Sequence, residues 1–317
     1  MGVVSPCFFM KFYKKMKISD QKIKVVCFGE VLFDNFPTYS RIGGALLNVS
    51  VRLKSLGVDV SMISSVGEDS NGREIIRYLN EEGVNTNGIS VTHEFPTGQV
   101  NVLLDNKGGA SYDIPYPAAW DKIVLNGTHQ EIVKDVDVII FGSLSCREEI
   151  NRLTLKSIMK HVNYKVFDVN LRGPHYTYEI LIDLMKESNF IKFNDEELFE
   201  IAEYLGYKNY SMEQVITHLV KVTQTDSICV TKGAFGAVLF TNGIFYYHSG
   251  YHIKVLDTVG AGDSFLASVV YKLMNEDDPQ EALNYGCAVG ALIASSKGAN
   301  PKLSINKINT FMNSYSN

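Results

Sequence analysis

Hydrophobic and polar positions alternate along this chain between a strand period and a helix period. KIKVVCFG (22–29) is a continuous apolar, β-branched run closed by glycine, the pattern of a strand covered on both faces. GALLNVSVRLKSLG (44–57) returns apolar residues at helical spacing and ends in a capping glycine. VDVSMISSVG (58–67) predicts a second strand and NGREIIRYLNEEG (71–83) a second helix. The rhythm recurs in VDVIIFG (136–142), a helix near 148–161, YKVFDVN (164–170), a helix near 177–188 and FIKFN (190–194). Strands alternating with helices predict βαβ units, and hence an α/β fold with a doubly wound, mostly parallel sheet flanked by helices.

One part breaks the rhythm. TGQVNVLLDNKGGASYDI (97–114) reads as two alternating strands joined by the turn-rich NKGG, a β-hairpin. With VLFDNFPTYSRI (31–42) it predicts a small antiparallel sheet set beside the main one, its strands drawn from about 31–42 and 97–116. Sites in open α/β sheets lie at the carboxyl ends of strands, where such an insert would serve as a lid. Residues 1–22 read as an extension without folded structure, and 23–317 as one domain.

Composition narrows the function. The chain is 45% hydrophobic and 21% charged, ordinary for a globular protein, and its net charge of −5 speaks against a nucleic-acid partner. An anionic substrate would have to be held by locally placed cations. The five cysteines, Cys7, Cys27, Cys146, Cys229 and Cys287, form no CxxC pair, which suits a reducing, cytoplasmic setting. In the first twenty residues an apolar stretch precedes the lysines, the reverse of a secretory signal, and Pro6 breaks a myristoylation pattern. No apolar run reaches the length of a membrane span.

The densest chemistry lies in DTVGAGDSF, Asp257 to Phe265, just before the helical run SFLASVVYKLM. Gly260 and Gly262 let the backbone turn sharply and a ligand approach closely. The amides of Ala261, Gly262 and Asp263 would then be the open donors of a helix N-terminus, suited to charge developing on a phosphoryl group. A carboxylate inside an anion site needs its own task, and accepting a proton from a substrate hydroxyl is one, which we assign to Asp263. Asp257 is better placed to organise the loop, or a cation beneath it. The plain alternative is that Asp263 only caps the helix.

DTVGAGDSF resembles the C-terminal signature of the PfkB, or ribokinase-like, family of carbohydrate kinases. GGALLNVSVRLKSLGVDVSMISSVGEDSNG (43–72) resembles the family's N-terminal signature, with the glycine pair, the asparagine and the later VGxDxxG in order. The resemblance covers roughly residues 23 to 303. No GxxxxGK[ST], HRD or DFG pattern supports a P-loop or protein kinase. The resemblance implies an ATP-dependent sugar kinase using Mg2+. FIKFNDEE (190–197) looks like the family's magnesium–nucleotide motif, with Lys192 and Asn194 at ATP and Glu197 acting on Mg2+ through water; an Asn cap with acids in the first turn is the alternative. ICVTKGAFGA (228–237) resembles the nucleotide loop, implying Thr231, Lys232, Gly233 and Gly236 at ATP, with Asn284 near the base.

For the sugar, the resemblance points to Asp34, Gly43, Gly44, Asn48 and Asn101. A polyol needs convergent donors and acceptors, which a carboxylate, an asparagine amide and exposed backbone amides supply. DVNLRGPHY (168–176) adds Asp168 and Asn170, with Arg172 bridging the transferring phosphate. That string, PAAWD (117–121) and FGEVLFDNFP (28–37) look like fructokinases in particular. One departure is that Leu46 and Leu47 stand where the family often has a small residue or proline, adding bulk near the sugar residues. The family also implies K+ at Asp257 and the carbonyl of Val259, and a homodimer in which two lids clasp. Rival readings are a ribokinase, a 2-keto-3-deoxygluconate kinase, a nucleoside kinase using Tyr39, Tyr112 and Tyr116, or a sugar-binding sensor without catalysis. His248 and His252 read as a solvent-facing pair on a strand, not a metal site, and Cys287 as a small core hydrophobe.

Overall fold

Val25 to Phe28 are buried to 1% exposure or less, as an unbroken apolar run requires, and they form the first strand of a parallel set. The computed structural model describes residues 22–104, 110–275 and 277–315. Residues 1–21 of the extension and the NKGG turn lie outside the described residues. The fold comprises two compact units, Lys24–Asn163 and one built on Tyr164–Asn317.

The first unit runs β1 (Lys24–Phe28), β2 (Leu32–Phe36), β3 (Tyr39–Gly43), α1 (Ala45–Ser55), β4 (Asp59–Gly67), α2 (Ser70–Glu81), β5 (Asn85–Thr92), β6 (Gly98–Leu104), β7 (Ala110–Asp113), α3 (Gly127–Val133), β8 (Val138–Gly142) and α4 (Glu149–Met159). Strands β8, β1, β4 and β5 are parallel neighbours in that order. β3, β2, β6 and β7 form the predicted small sheet. It is mixed rather than antiparallel: β2 pairs β6 in parallel, Asp34 opposite Val100. The chain crosses through α1, β4, α2 and β5 between those two strands, long enough to return in the same direction. Alternation alone carries no strand direction.

The second unit runs β9 (Tyr164–Asp168), α5 (Tyr178–Lys186), β10 (Phe190–Asn194), α6 (Asp195–Tyr204), α7 (Met212–Thr223), β11 (Ser227–Thr231), β12 (Ala237–Thr241), β13 (Ile244–His248), α8 (Ala261–Met274), α9 (Pro279–Ala294) and α10 (Ile305–Asn313). β9, β10 and β11 are parallel, and β11, β12 and β13 continue antiparallel. Asn242 and Gly243, with φ of 54° and 77°, turn β12 into β13, the left-handed pair that an Asn-Gly hairpin supplies. α7 opens on a capping box, Ser211 with Gln214, legible as SMEQ although the periodicity reading passes over it. β5 (NTNGISVT) is also unforeseen, because its polar and glycine content hides a half-buried strand.

Trp120 is wholly buried in the first unit, in a cluster with Leu32, Val100, Ile114, Ala118 and Leu144. Beside it, Arg147 Nε and Nη2 donate to Asp121 Oδ1 and Oδ2, each at 2.6 Å. Their side chains are 6% and 0% exposed, so each charge depends on the other. Asp121→Asn is expected to lower unfolding stability in urea by about 3 kcal/mol; a loss below about 1 kcal/mol would show the pair to be dispensable.

Candidate active site

The first unit holds Asp34, Gly43, Gly44, Asn48 and Asn101 of the residues assigned to sugar, whereas Asp168 and Asn170 belong to the second. A Cβ at Gly43 would lie 2.2 Å from Asp34 Oδ2, so the carboxylate sits directly over this glycine's backbone. Gly44 has φ of 110°, and a Cβ there would come within 2.6 Å of the Glu30 carbonyl oxygen. Asn48 is 4% exposed in the first turn of α1, its N–H donating to the Gly44 carbonyl at 2.9 Å. The glycine pair and Asn48 are thus one structural element beside the Asp34 strand.

Asn101 does not join them. Asp34 is in register with Arg41 and Val100, whereas Asn101 is in register with Asn35 and Asp113, so alternation sets it on the opposite face of the small sheet. Its Nδ2 donates to Asp113 Oδ2 at 3.0 Å, in a polar row with Ser40, Asn35 and Gln99. The register that decides this is a tertiary fact, invisible in TGQVNVLL. Leu46 and Leu47, 1% and 0% exposed, put their bulk into the core, and Leu46 packs on Gly29.

The second unit gathers the residues assigned to phosphoryl transfer. Lys192 on β10 is in register with Asp168 on β9, which directs both side chains to one face. Lys192 Nζ donates to Asp168 Oδ1 at 2.7 Å, the side chains 7% and 1% exposed. Burial alone would pull the lysine's pKa down; the charges of Asp168, Glu197 and Asp263 outweigh it and hold the ammonium above its ordinary range. Asp168 Oδ2 is buried without a hydrogen-bond partner.

Glu197 closes a capping box with Asn194: its N–H donates to Asn194 Oδ1 at 2.7 Å, and its Oε2 accepts from the Asn194 N–H at 2.8 Å. Its Oε1 accepts from the Leu171 N–H at 2.9 Å, tying the 168–172 loop to α6. Burial pushes its pKa up, opposed by Lys192 and the two amides. Asn170 in that loop takes φ of 38°, and Arg172 Nη1 donates to the Leu171 carbonyl at 2.8 Å. Among the described residues no group of three His, Cys, Asp or Glu side chains could cage a metal. Two carboxylates with spare acceptor capacity fit a magnesium ion carried by nucleotide phosphates and water, which takes few protein ligands.

The Asp257–Asp263 turn is organised as the sequence suggests, with one difference. Asp257 accepts from the Val259 N–H at 3.1 Å and the Gly298 N–H at 3.0 Å, so it does fasten the loop. Gly260 caps α8 in the left-handed region, φ 73°, where a Cβ would strike Ala299. The Ala261 N–H, expected to be open, is taken by the Thr258 carbonyl at 3.2 Å. A turn bond of that kind is what lets Gly260 bend. The Gly262 amide is then a donor that the first helical turn leaves available, and a Cβ at Gly262 would sit 3.7 Å from Lys192 Nζ. Asp263 follows in that same turn.

Thr231 ends β11, its Oγ1 donating to the Phe193 carbonyl at 3.4 Å, and the Lys232 N–H donates to the Gly236 carbonyl at 2.8 Å to close the loop over Gly233. Gly236, φ 79°, lies so close to the His248 carbonyl that no side chain fits. His248 is half-buried rather than solvent-facing, its Nδ1 accepting from the Gly250 N–H at 2.9 Å. Asn284 is oriented by Gln280, whose Nε2 donates to Asn284 Oδ1 at 2.8 Å and to the Tyr247 carbonyl at 3.0 Å. Gln280 was not foreseen; its i,i+4 spacing from Asn284 was the available signal. Cys287 is buried as expected, its thiol pushed up to about 12 by burial.

Asp263 in the first turn of α8, the left-handed Gly260 before it and the buried Lys192 thus lie together in the second unit. Residues 22–306 match the pfkB family of carbohydrate kinases, and the chain belongs to that family. An uncharacterized sugar kinase of Pyrococcus horikoshii is 30% identical over 249 residues, 77% of this chain and 75% of that protein. A fructokinase of Solanum tuberosum is 27% identical over 303 residues, 88% of this chain and 92% of that one. The crystal structure of a fructokinase with bound ATP from Xylella fastidiosa superimposes with a TM-score of 0.85 at 23% identity, covering 94% of this chain and 100% of that one. The fold is ribokinase-like. No helix among the described residues is long and apolar enough to cross a membrane.

The raised pKa of Lys192 gives a signed expectation. Its stabilisation is fully present below the ordinary lysine value of 10.5 and is lost only as pH climbs through the higher folded value. Lys192→Met leaves buried carboxylates uncompensated and is expected to cost about 3–5 kcal/mol at neutral pH. The deficit should shrink towards pH 5 as Glu197, whose pKa burial already raises, takes up a proton. Urea unfolding at several pH values checks this, and wild-type stability at pH 7 would contradict it.

Proposed function

We propose that this pfkB carbohydrate kinase transfers the γ-phosphoryl group of ATP to a primary hydroxyl of a free hexose, most plainly D-fructose at its 6-position. The observation that carries the reading is Asp263 in the first turn of α8, behind the left-handed Gly260 and above Lys192. That relatives such as the Solanum tuberosum protein are named fructokinases supports fructose as the sugar.

In this reading Asp34, Gly43, Gly44 and Asn48 bind the sugar, and Asp168 and Asn170 complete its contacts. Asp263 takes the hydroxyl proton as the sugar oxygen forms its bond to the γ-phosphorus and the bond to ADP breaks. The Gly262 amide and Arg172 meet the charge on the transferring group. Asn194, Lys232, Gly233, Gly236 and Asn284 hold the nucleotide. When bound, Mg2+ would neutralise phosphate charge, with Glu197 orienting its water shell. Asp257 and the Val259 carbonyl would receive a monovalent cation that stiffens the turn. A dimer through the small sheet belongs to the same reading.

One observation favours a second substrate class. Phe36 and Tyr39 stack with centroids 4.6 Å apart on the Asp34 face, with the Arg41 guanidinium 4.7 Å from the Tyr39 ring centre. An aromatic platform there suits a nucleoside acceptor.

ADP release measured over a panel of fructose, ribose, 2-keto-3-deoxygluconate, fructose phosphates and adenosine, with and without magnesium, decides among these. Turnover on fructose at least tenfold above the others, with the product phosphate at O6, is expected. Preference for adenosine would establish the nucleoside reading, and sugar binding with no turnover would reduce the protein to a sensor.

A further inference from the structure

The VGEDSNG segment (66–72) closes the N-terminal signature yet has no part in the chemistry above. Its geometry gives it one. Asp69 Oδ1 accepts from the Gly72 N–H at 2.8 Å, capping α2, and from Thr97 Oγ1 at 2.7 Å. Asp69 Oδ2 accepts from the Thr97 N–H at 2.9 Å, while Thr97 Oγ1 accepts from the Gly67 N–H at 2.9 Å. Both glycines are required by crowding: a Cβ at Gly67 would lie 2.5 Å from Asp69 Oδ2, and one at Gly72 2.3 Å from the Gly67 carbonyl oxygen. Thr97, 2% exposed, is the residue before β6 begins.

β6 leaves this knot already in register with β2, Gly98 opposite Leu32 and Val100 opposite Asp34. A slip of one residue would turn every β6 side chain to the other face. The far end of the small sheet is fastened as well. Beyond β7, the Pro115 carbonyl accepts from Arg147 Nη2 at 3.1 Å, the same arginine that is paired with Asp121. Trp120 stands between the two feet, its Nε1 against Gly98, where a Cβ would come within 2.3 Å, and Arg147 4.3 Å from its ring centre. Its ring is wholly buried, and it is the chain's only tryptophan.

We propose that Asp69 and Thr97 are positioning residues for sugar binding: they touch no substrate but fix the start of β6, and so the pose of the strand that carries Asp34. Trp120 then reports on that foot of the sheet. The sugar-affinity arm rests on the kinase reading above; the fluorescence arm does not.

The test compares wild type with Asp69→Asn, Thr97→Val and the conservative Thr97→Ser. Asp69→Asn and Thr97→Val should raise KM for the best sugar of the panel about tenfold, the scale of one or two lost hydrogen bonds, and leave ATP affinity within about twofold. Thr97→Ser should behave as wild type. In the ligand-free protein, the first two variants should shift Trp120 emission to the red and increase its quenching by acrylamide. Unchanged sugar KM together with unchanged quenching would overturn the proposal. Equal rises in sugar and ATP KM with a lowered Tm would overturn it too, by showing a merely structural role. If wild type turns over no sugar, the kinase reading fails, and the quenching comparison alone supports or overturns the fastening of β6.

Discussion

An ammonium buried in the middle of a parallel strand survives only among carboxylates, and Lys192 meets that condition with Asp168 at 2.7 Å and the nearby charges of Glu197 and Asp263. The pairing follows from register, since β9 and β10 set residues 168 and 192 side by side. It also sets what the surrounding loops can be. Glu197 is held by the box that starts α6, and through the Leu171 amide it holds the loop carrying Asn170 and Arg172. Gly262 approaches Lys192 closely, so the α8 turn sits on the same charge. One cation thus organises three separate segments of the second unit.

In the first unit it is the glycine pair that close backbone approach, rather than charge, holds in place. Asp34 lies over Gly43, and Gly44 presses on the Glu30 carbonyl, so the glycine pair is fixed by space before any ligand is considered. Alanine at Gly43 would displace the Asp34 carboxylate, and alanine at Gly44 would have to move the Glu30 backbone as well as adopt a left-handed φ.

The sequence made legible the elements whose signal is local. Apolar runs and helical periods located most strands and helices, and the glycines around Asp263 announced a turn into a helix. What depended on pairing was not legible. Asn101 lies on the face opposite Asp34 because register places it there, and β2 joins β6 in parallel because of the intervening crossover. Leu46 and Leu47 turned out to be core residues for a related reason, as α1 packs its apolar face inward. The Ala261 amide donates to the Thr258 carbonyl, a turn bond that the glycine pattern does not reveal. Gln280 escaped notice because a polar residue on a helix is ordinarily solvent-facing, and only the positions of Asn284 and the Tyr247 carbonyl give it meaning.

In the proposed reaction Asp263 accepts the proton while the Gly262 amide and Arg172 meet the charge on the transferring group. Rapid-quench turnover of Asp263→Asn beside a direct measurement of ATP affinity tests this most closely. A fall in kcat of about 10²–10⁴, with ATP affinity nearly unchanged, is predicted. A variant that keeps most of its turnover would contradict it.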